Sequence, residues 1–149
     1  MKVVIDTNIL ISGSYDESSH SFKILQEVIA GKIQACATHQ TMSENRQMLR
    51  KLVKDRNYRT LLESYFQKLQ VTKLFRPLQV VADPEDNKLF ESAVSAGAQY
   101  IITEDREVLD VEVYRDVKVI TPEDFWAVYE NQSGSDSAWQ DWTKIVMGK

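Results

Sequence analysis

Apolar residues return along this chain in two rhythms. Short β-branched runs occur at Lys2-Ile5, Ile33-Ala37, Tyr100-Thr103 and Val117-Ile120, and between them apolar positions recur every three or four residues. The first rhythm predicts strands. The second predicts helices over Ser21-Ala30, Thr38-Asp55, Tyr58-Leu69, Asp86-Ala96 and Pro122-Tyr129. A further short strand is expected at Leu78-Val81. Such alternation predicts an α/β fold, a central and mainly parallel sheet flanked by helices in three layers.

Local signals sharpen several boundaries. Asp83-Pro84-Glu85-Asp86 reads as an N-cap, a proline at the first helical position and an acid at the third, and Gly97 suits the residue just past a helix end. Thr121-Pro122-Glu123-Asp124 repeats the same opening. One domain is expected over residues 1–130. The segment from Asn131 to Ser135 reads as a linker, and beyond it Trp139, Trp142 and Val146 mark a short amphipathic helix that needs a surface to dock on.

Charge and composition narrow the chemistry. A net charge of −4 argues against a protein that coats DNA with a basic surface. No apolar run approaches the roughly 20 residues of a membrane span, and Asp6 interrupts the first run too early for a secretory signal, so a cytoplasmic protein without a membrane partner is expected. The single cysteine, Cys36, has no partner for an internal disulfide and reads as a small buried residue. With only His20 and His39 as histidines, a zinc site lacks ligands. No nucleophile elbow and no glycine-rich phosphate loop is present.

Ligands of an open α/β sheet collect beyond the carboxyl ends of its strands. Asp6 follows the first predicted strand, Glu104 and Asp105 follow the Tyr100 run, and Asp86 opens a helix after the Leu78 run. Asp86 also shares the stripe of Leu89, Phe90, Ala93 and Gly97, which turns it inward, although an acid at that place also fits a capping box. Glu44 lies off the apolar stripe of its helix (Met42, Leu49, Leu52, Val53) and by spacing alone belongs to a solvated face. Clustered carboxylates repel one another, so a cluster kept at neutral pH implies a cation. Oxygen ligands select Mg²⁺ or Mn²⁺.

Three stretches together carry a resemblance. Val3-Val4-Ile5-Asp6-Thr7-Asn8, Asp83-Pro84-Glu85-Asp86-Asn87 and Ala98-Gln99-Tyr100-Ile101-Ile102-Thr103-Glu104-Asp105 resemble, in order and spacing, the PIN-domain nucleases. The ending Val119-Ile120-Thr121-Pro122-Glu123-Asp124-Phe125 is similar to the branch known as toxins of toxin–antitoxin pairs. The resemblance implies four site acids, Asp6, Glu44, Asp86 and Asp105, as catalytic and metal-binding residues, with Asn8 and Thr103 orienting them. It further implies metal-dependent hydrolysis of RNA, leaving a 5′-phosphate and a 3′-hydroxyl, a homodimer and an antitoxin partner. Relatives often carry glycine where Glu104 stands; here it reads as an outward surface acid.

An acidic chain must still receive a polyanion. Arg46, Arg50 and Lys54 recur every fourth residue, and Lys51 shares the face of Glu44, which makes Lys51, Arg46 and Arg50 the candidate substrate contacts; a solvated helix face is the competing reading. The competing function is a PIN-like binding or dimerisation module with little turnover.

Overall fold

The computed structural model describes residues 1–132. The expected tail helix around Trp139, Trp142 and Val146 lies outside the described residues. In chain order the elements are β1 (Lys2–Ile5), α1 (Thr7–Gly13), α2 (His20–Ile29), β2 (Gln34–Thr38), α3 (His39–Leu52), α4 (Arg56–Lys68), β3 (Gln70–Thr72), α5 (Pro84–Ala96), β4 (Tyr100–Ile102), α6 (Arg106–Leu109), β5 (Val113–Tyr114) and β6 (Val117–Ile120). A last helix, α7, covers residues 122–132, past the expected end at Tyr129.

The strands form one sheet in the order β3-β2-β1-β4-β6-β5. All neighbours are parallel except β5, which returns antiparallel to β6. The period of two in each strand divides the core between the faces. Val3, Ile5, Ala35 and Ile102 point to one side with Ile24, Leu49, Leu62 and Phe125 from the helices. Val4, Cys36 and Ile101 point to the other side, where Leu89, Phe90 and Ala93 of α5 cover them. The three-layer α/β architecture read from the sequence is therefore present, and Cys36 is buried.

The order of strands matters for function. From β1 the chain passes first to β2 on one side and later to β4 on the other, so the crevice beyond the carboxyl ends of β1 and β4 is a topological switch point. Helix α5 runs back across the sheet. The Thr38 N–H at the end of β2 donates to Ser92 Oγ at 3.2 Å, while Lys2 Nζ at the start of β1 donates to the Ala96 carbonyl at 3.4 Å. The first turn of α5 consequently projects past the sheet at the same edge as the crevice.

Three expectations are corrected. Leu78-Val81 is not a strand; the third strand is Gln70–Thr72. The run is apolar because Leu78, Val80 and Val81 pack on the α5 side of the core, but its N–H groups bond to side chains rather than to a neighbouring strand. Ser95 Oγ accepts from Phe75 N–H at 2.9 Å, Glu91 Oε2 from Leu78 N–H at 2.9 Å, and Asn87 Oδ1 from Val80 and Val81 N–H at 2.8 and 2.9 Å. Asn87 Nδ2 completes the set by donating to the Val81 carbonyl at 2.9 Å. Second, α3 stops at Leu52 rather than reaching Asp55, because Asp55 caps α4 instead, its Oδ1 accepting from Tyr58 N–H at 2.8 Å. Leu52 is left 52% exposed while the extended Val53 is buried. Third, two short helices escape the periodicity: α1 and α6 are too brief to repeat an apolar stripe.

Asn87, 6% exposed, is the residue that ties the approach of α5 to its first turns. Asn87→Ala orphans two N–H groups and a carbonyl, and is expected to destabilise the protein by about 2–3 kcal/mol. Gly97 ends α5 at φ +70°, so Gly97→Ala is expected to cost about 1 kcal/mol. Urea unfolding checks both as a lower midpoint with an unchanged slope.

Candidate active site

Asp6 leaves β1 with extended backbone and caps α1, its Oδ1 accepting from Asn8 N–H at 3.2 Å. Its own N–H donates to the Ile102 carbonyl at 3.0 Å, which fastens it to the end of β4. The hydroxyl of Thr103, fully buried, donates to Asp6 Oδ2 at 2.8 Å and accepts from Asp105 N–H at 3.0 Å. Asp105 in turn caps α6, its Oδ1 accepting from Glu107 N–H at 2.9 Å. Thr103 thus links the two acids across the switch point. Asn8 contributes to Asp6 through its backbone, and its side chain is exposed.

Asp86 reaches the same edge from the first turn of α5. Asp83 is the N-cap expected from the sequence, its Oδ1 accepting from Glu85 N–H at 2.9 Å, and among the described residues the Asp86 carboxyl makes no return bond to the Asp83 N–H of the kind a capping box needs. Partial burial pushes the Asp86 carboxyl up from its ordinary 3.8 to about 6, and the negative charges of Asp105, Asp83, Asp6 and Glu107 push the same way. Asp6, Asp86 and Asp105 are thus close enough to repel. Among the described residues, no three His, Cys, Asp or Glu side chains are closed around one point as metal ligands.

This field is the test of whether a cation suits the place. The donors are all carboxylate oxygens, the chemistry of hard divalent ions, and a partly buried acid with raised pKa is one that a positive charge would relieve. Asp6, Asp86 and Asp105 fit on the first count, and Asp86 fits on the second.

Glu44 stands apart from these three. It lies on α3, where Lys88 Nζ donates to its Oε2 at 2.6 Å and Gln40 Nε2 to its Oε1 at 3.1 Å. The Lys88 ammonium holds this carboxyl below the usual range, opposite in direction to Asp86. Glu44 is not among the charges that raise Asp86. Lys88, two residues after Asp86, also bonds Glu85 at 3.0 Å, so an ion-paired bridge joins α3 to α5 at the rim of the crevice. Sequence reasoning missed Lys88; its signal was a cation two residues beyond a candidate acid, on a helix otherwise poor in cations.

The basic candidates separate as well. Arg46 and Arg50 both turn to Glu63 of α4, at 2.5 and 3.3 Å, and Arg46 also lies over the Phe66 ring. Lys51, in the last turn of α3, is exposed. Glu104 is exposed between Thr103 and Asp105. No helix among the described residues is long and apolar enough to cross a membrane.

No curated protein matches the sequence. Among solved structures, the fold is similar to that of a chain from VapBC2 of Rickettsia felis, crystallised bound to a DNA fragment from their promoter. The identity is 12% and the TM-score 0.56, over 81% of this chain and 98% of that one, and the likeness is one of fold. The PIN domain family model matches residues 2–107, a stretch that contains Asp6, Asp86 and Asp105. Proteins of that family are generally nucleases that use divalent metal ions. By that match the chain belongs to the PIN domain family.

Proposed function

We propose that this protein is a metal-dependent endoribonuclease acting on single-stranded or structured RNA, as the toxin of a toxin–antitoxin pair. The observation that carries the reading is the convergence of Asp6, Asp86 and Asp105 on the β1–β4 switch point, with Asp86 raised to about 6 by partial burial and then by its neighbours' charges. The toxin role and an antitoxin partner rest on the likeness in fold to a chain of VapBC2, and a homodimer is proposed with them on the resemblance in sequence alone.

Asp6, Asp86 and Asp105 would hold Mg²⁺ or Mn²⁺, which when bound lowers the pKa of water and offsets the charge that builds on a phosphate during in-line attack. The chain's own part is positional. The caps at α1 and α6 and the Thr103 hydroxyl aim Asp6 and Asp105, which leaves little reorganisation for the moment of reaction. Glu44, the fourth acid of the motif, serves from the rim, fixed by Lys88. Lys51 is the cation of the α3 trio offered to the RNA backbone, since Arg46 and Arg50 are drawn to Glu63.

Asp86→Asn keeps the size of the side chain and leaves the cap Asp83 intact, so folding is expected to survive while cleavage of single-stranded RNA with Mg²⁺ or Mn²⁺ falls at least about 100-fold. Asp116→Asn, an exposed acid in the β5–β6 turn, is the matched change of charge and is expected to be neutral. Equal cleavage by Asp86→Asn, or by the parent in chelator, sinks the mechanism and leaves the binding-module reading. Thr103→Val keeps shape but removes both hydrogen bonds, and is expected to lower activity about 10–100-fold.

The acidity of Asp86 also fixes a pH dependence. Between about pH 4 and 6 the folded protein keeps a proton on Asp86 that the unfolded chain has released, so stability without metal is expected to fall as pH rises through that window. The loss is at most about 3 kcal/mol, less for the water that reaches the carboxyl. Thermal melts in chelator check this as a gap between parent and Asp86→Asn that opens with pH and narrows when Mn²⁺ is added.

A further inference from the structure

Beside the crevice, over the carboxyl ends of β4 and β6, lies a cleft of about 330 Å³. Its walls include His20 and Ser21 from the start of α2, Glu104 after β4, and Pro122 and Glu123 at the start of α7. Ser21 is only 6% exposed, and its hydroxyl makes no hydrogen bond among the described residues. With no partner among the described residues and an open cleft before it, that hydroxyl is free to bond a ligand.

The lining decides which ligand. Two carboxylates, Glu104 and Glu123, disfavour a phosphate, and among the described residues no three metal-ligating side chains are grouped for a cation. A neutral planar group rich in donors remains, which for an RNA enzyme is a nucleobase. Glu104 is tied to the reacting edge by its neighbours: Thr103 N–H donates to the Ile120 carbonyl at 3.0 Å, and Asp105 N–H to Thr103 Oγ1 at 3.0 Å.

Resting on the RNA-cleavage reading above, we propose that this cleft seats the base beside the scissile phosphate and that Glu104 selects guanine. An ionised carboxylate is purely an acceptor with two oxygens. Guanine alone offers it two adjacent donors, N1–H and the N2 amino group. Adenine and cytosine set a ring-nitrogen lone pair beside their single amino group, and uracil flanks its one imino N–H with two carbonyls, so each turns a lone pair against the carboxylate. The Ser21 hydroxyl and the His20 ring, which line the same cleft, are donors of the kind that guanine O6 and N7 accept from.

The test uses four single-stranded oligouridylates that differ at one central position, carrying G, A, C or U. Equilibrium binding is measured with the Asp86→Asn protein and cleavage with the parent. Guanine is expected to be favoured by about tenfold or more in Kd and in kcat/KM. Glu104→Gln, an exposed and isosteric change, is expected to reduce that preference by about tenfold in both measurements. RNA bound or cut without base preference, or a guanine preference that survives in Glu104→Gln, overturns the subsite and leaves the nuclease reading standing. No binding by Asp86→Asn together with no cleavage by the parent overturns both.

Discussion

The Thr103 hydroxyl has a single proton, and that proton goes to Asp6, so its lone pairs are left for the Asp105 N–H. This fixes the direction of both bonds and makes the ends of two strands one unit. The interlock requires β1 and β4 to be adjacent and parallel, with Ile5 beside Ile102, and to be flanked by β2 and β6 so that the hydroxyl is buried. Packing of the two cores on either face of the sheet thus serves a local end. It brings the Asp6 carboxylate and the Asp105 backbone N–H, far apart in sequence, to one hydroxyl.

The aspartates at this edge divide by how their charge is stabilised. Asp6, Asp83 and Asp105 each accept an N–H at a helix start. Asp86 lies within the first turn of α5 and carries the cost of its neighbours' charges. Glu44 is relieved differently, by a lysine from the neighbouring helix. One edge of the sheet therefore holds three acids that cap helices and one, Asp86, that burial and its neighbours' charges raise.

Periodicity was informative wherever an element was long enough to repeat. Helix α5 shows this best: Leu89, Phe90 and Ala93 are buried, and Asp86 lies on the same side. Strands with an apolar run and an acid at the end were equally legible, as in β1 followed by Asp6. What escaped had a different origin. The Leu78-Val81 run has the composition of a strand because it covers a hydrophobic core, yet its backbone partners are the side chains of α5, a long-range fact that no local pattern carries. The position of Glu44 depends on Lys88, forty-four residues later. Helices α1 and α6 were invisible because their starts are set by single aspartates, which the sequence presented as site acids. Those aspartates are both capping residues and members of the acidic edge.

The side chains that hold the segment before α5 are Asn87, Glu91 and Ser95, spaced four apart on one face of the helix. Four helical residues rise about 6 Å, close to the length of two extended residues, so the segment is measured out against the helix at fixed intervals. An irregular stretch is thereby given the stiffness of the element beside it. Over evolutionary time this limits where its length can change. A residue added between Leu78 and Val81 would shift N–H groups away from acceptors that cannot follow, whereas the exposed Lys73 and Leu74, upstream of the Ser95 anchor, can bulge outward. The connection is a loop by hydrogen-bond pattern and a ruled spacer by construction, and length variation among relatives should accumulate on its outer side.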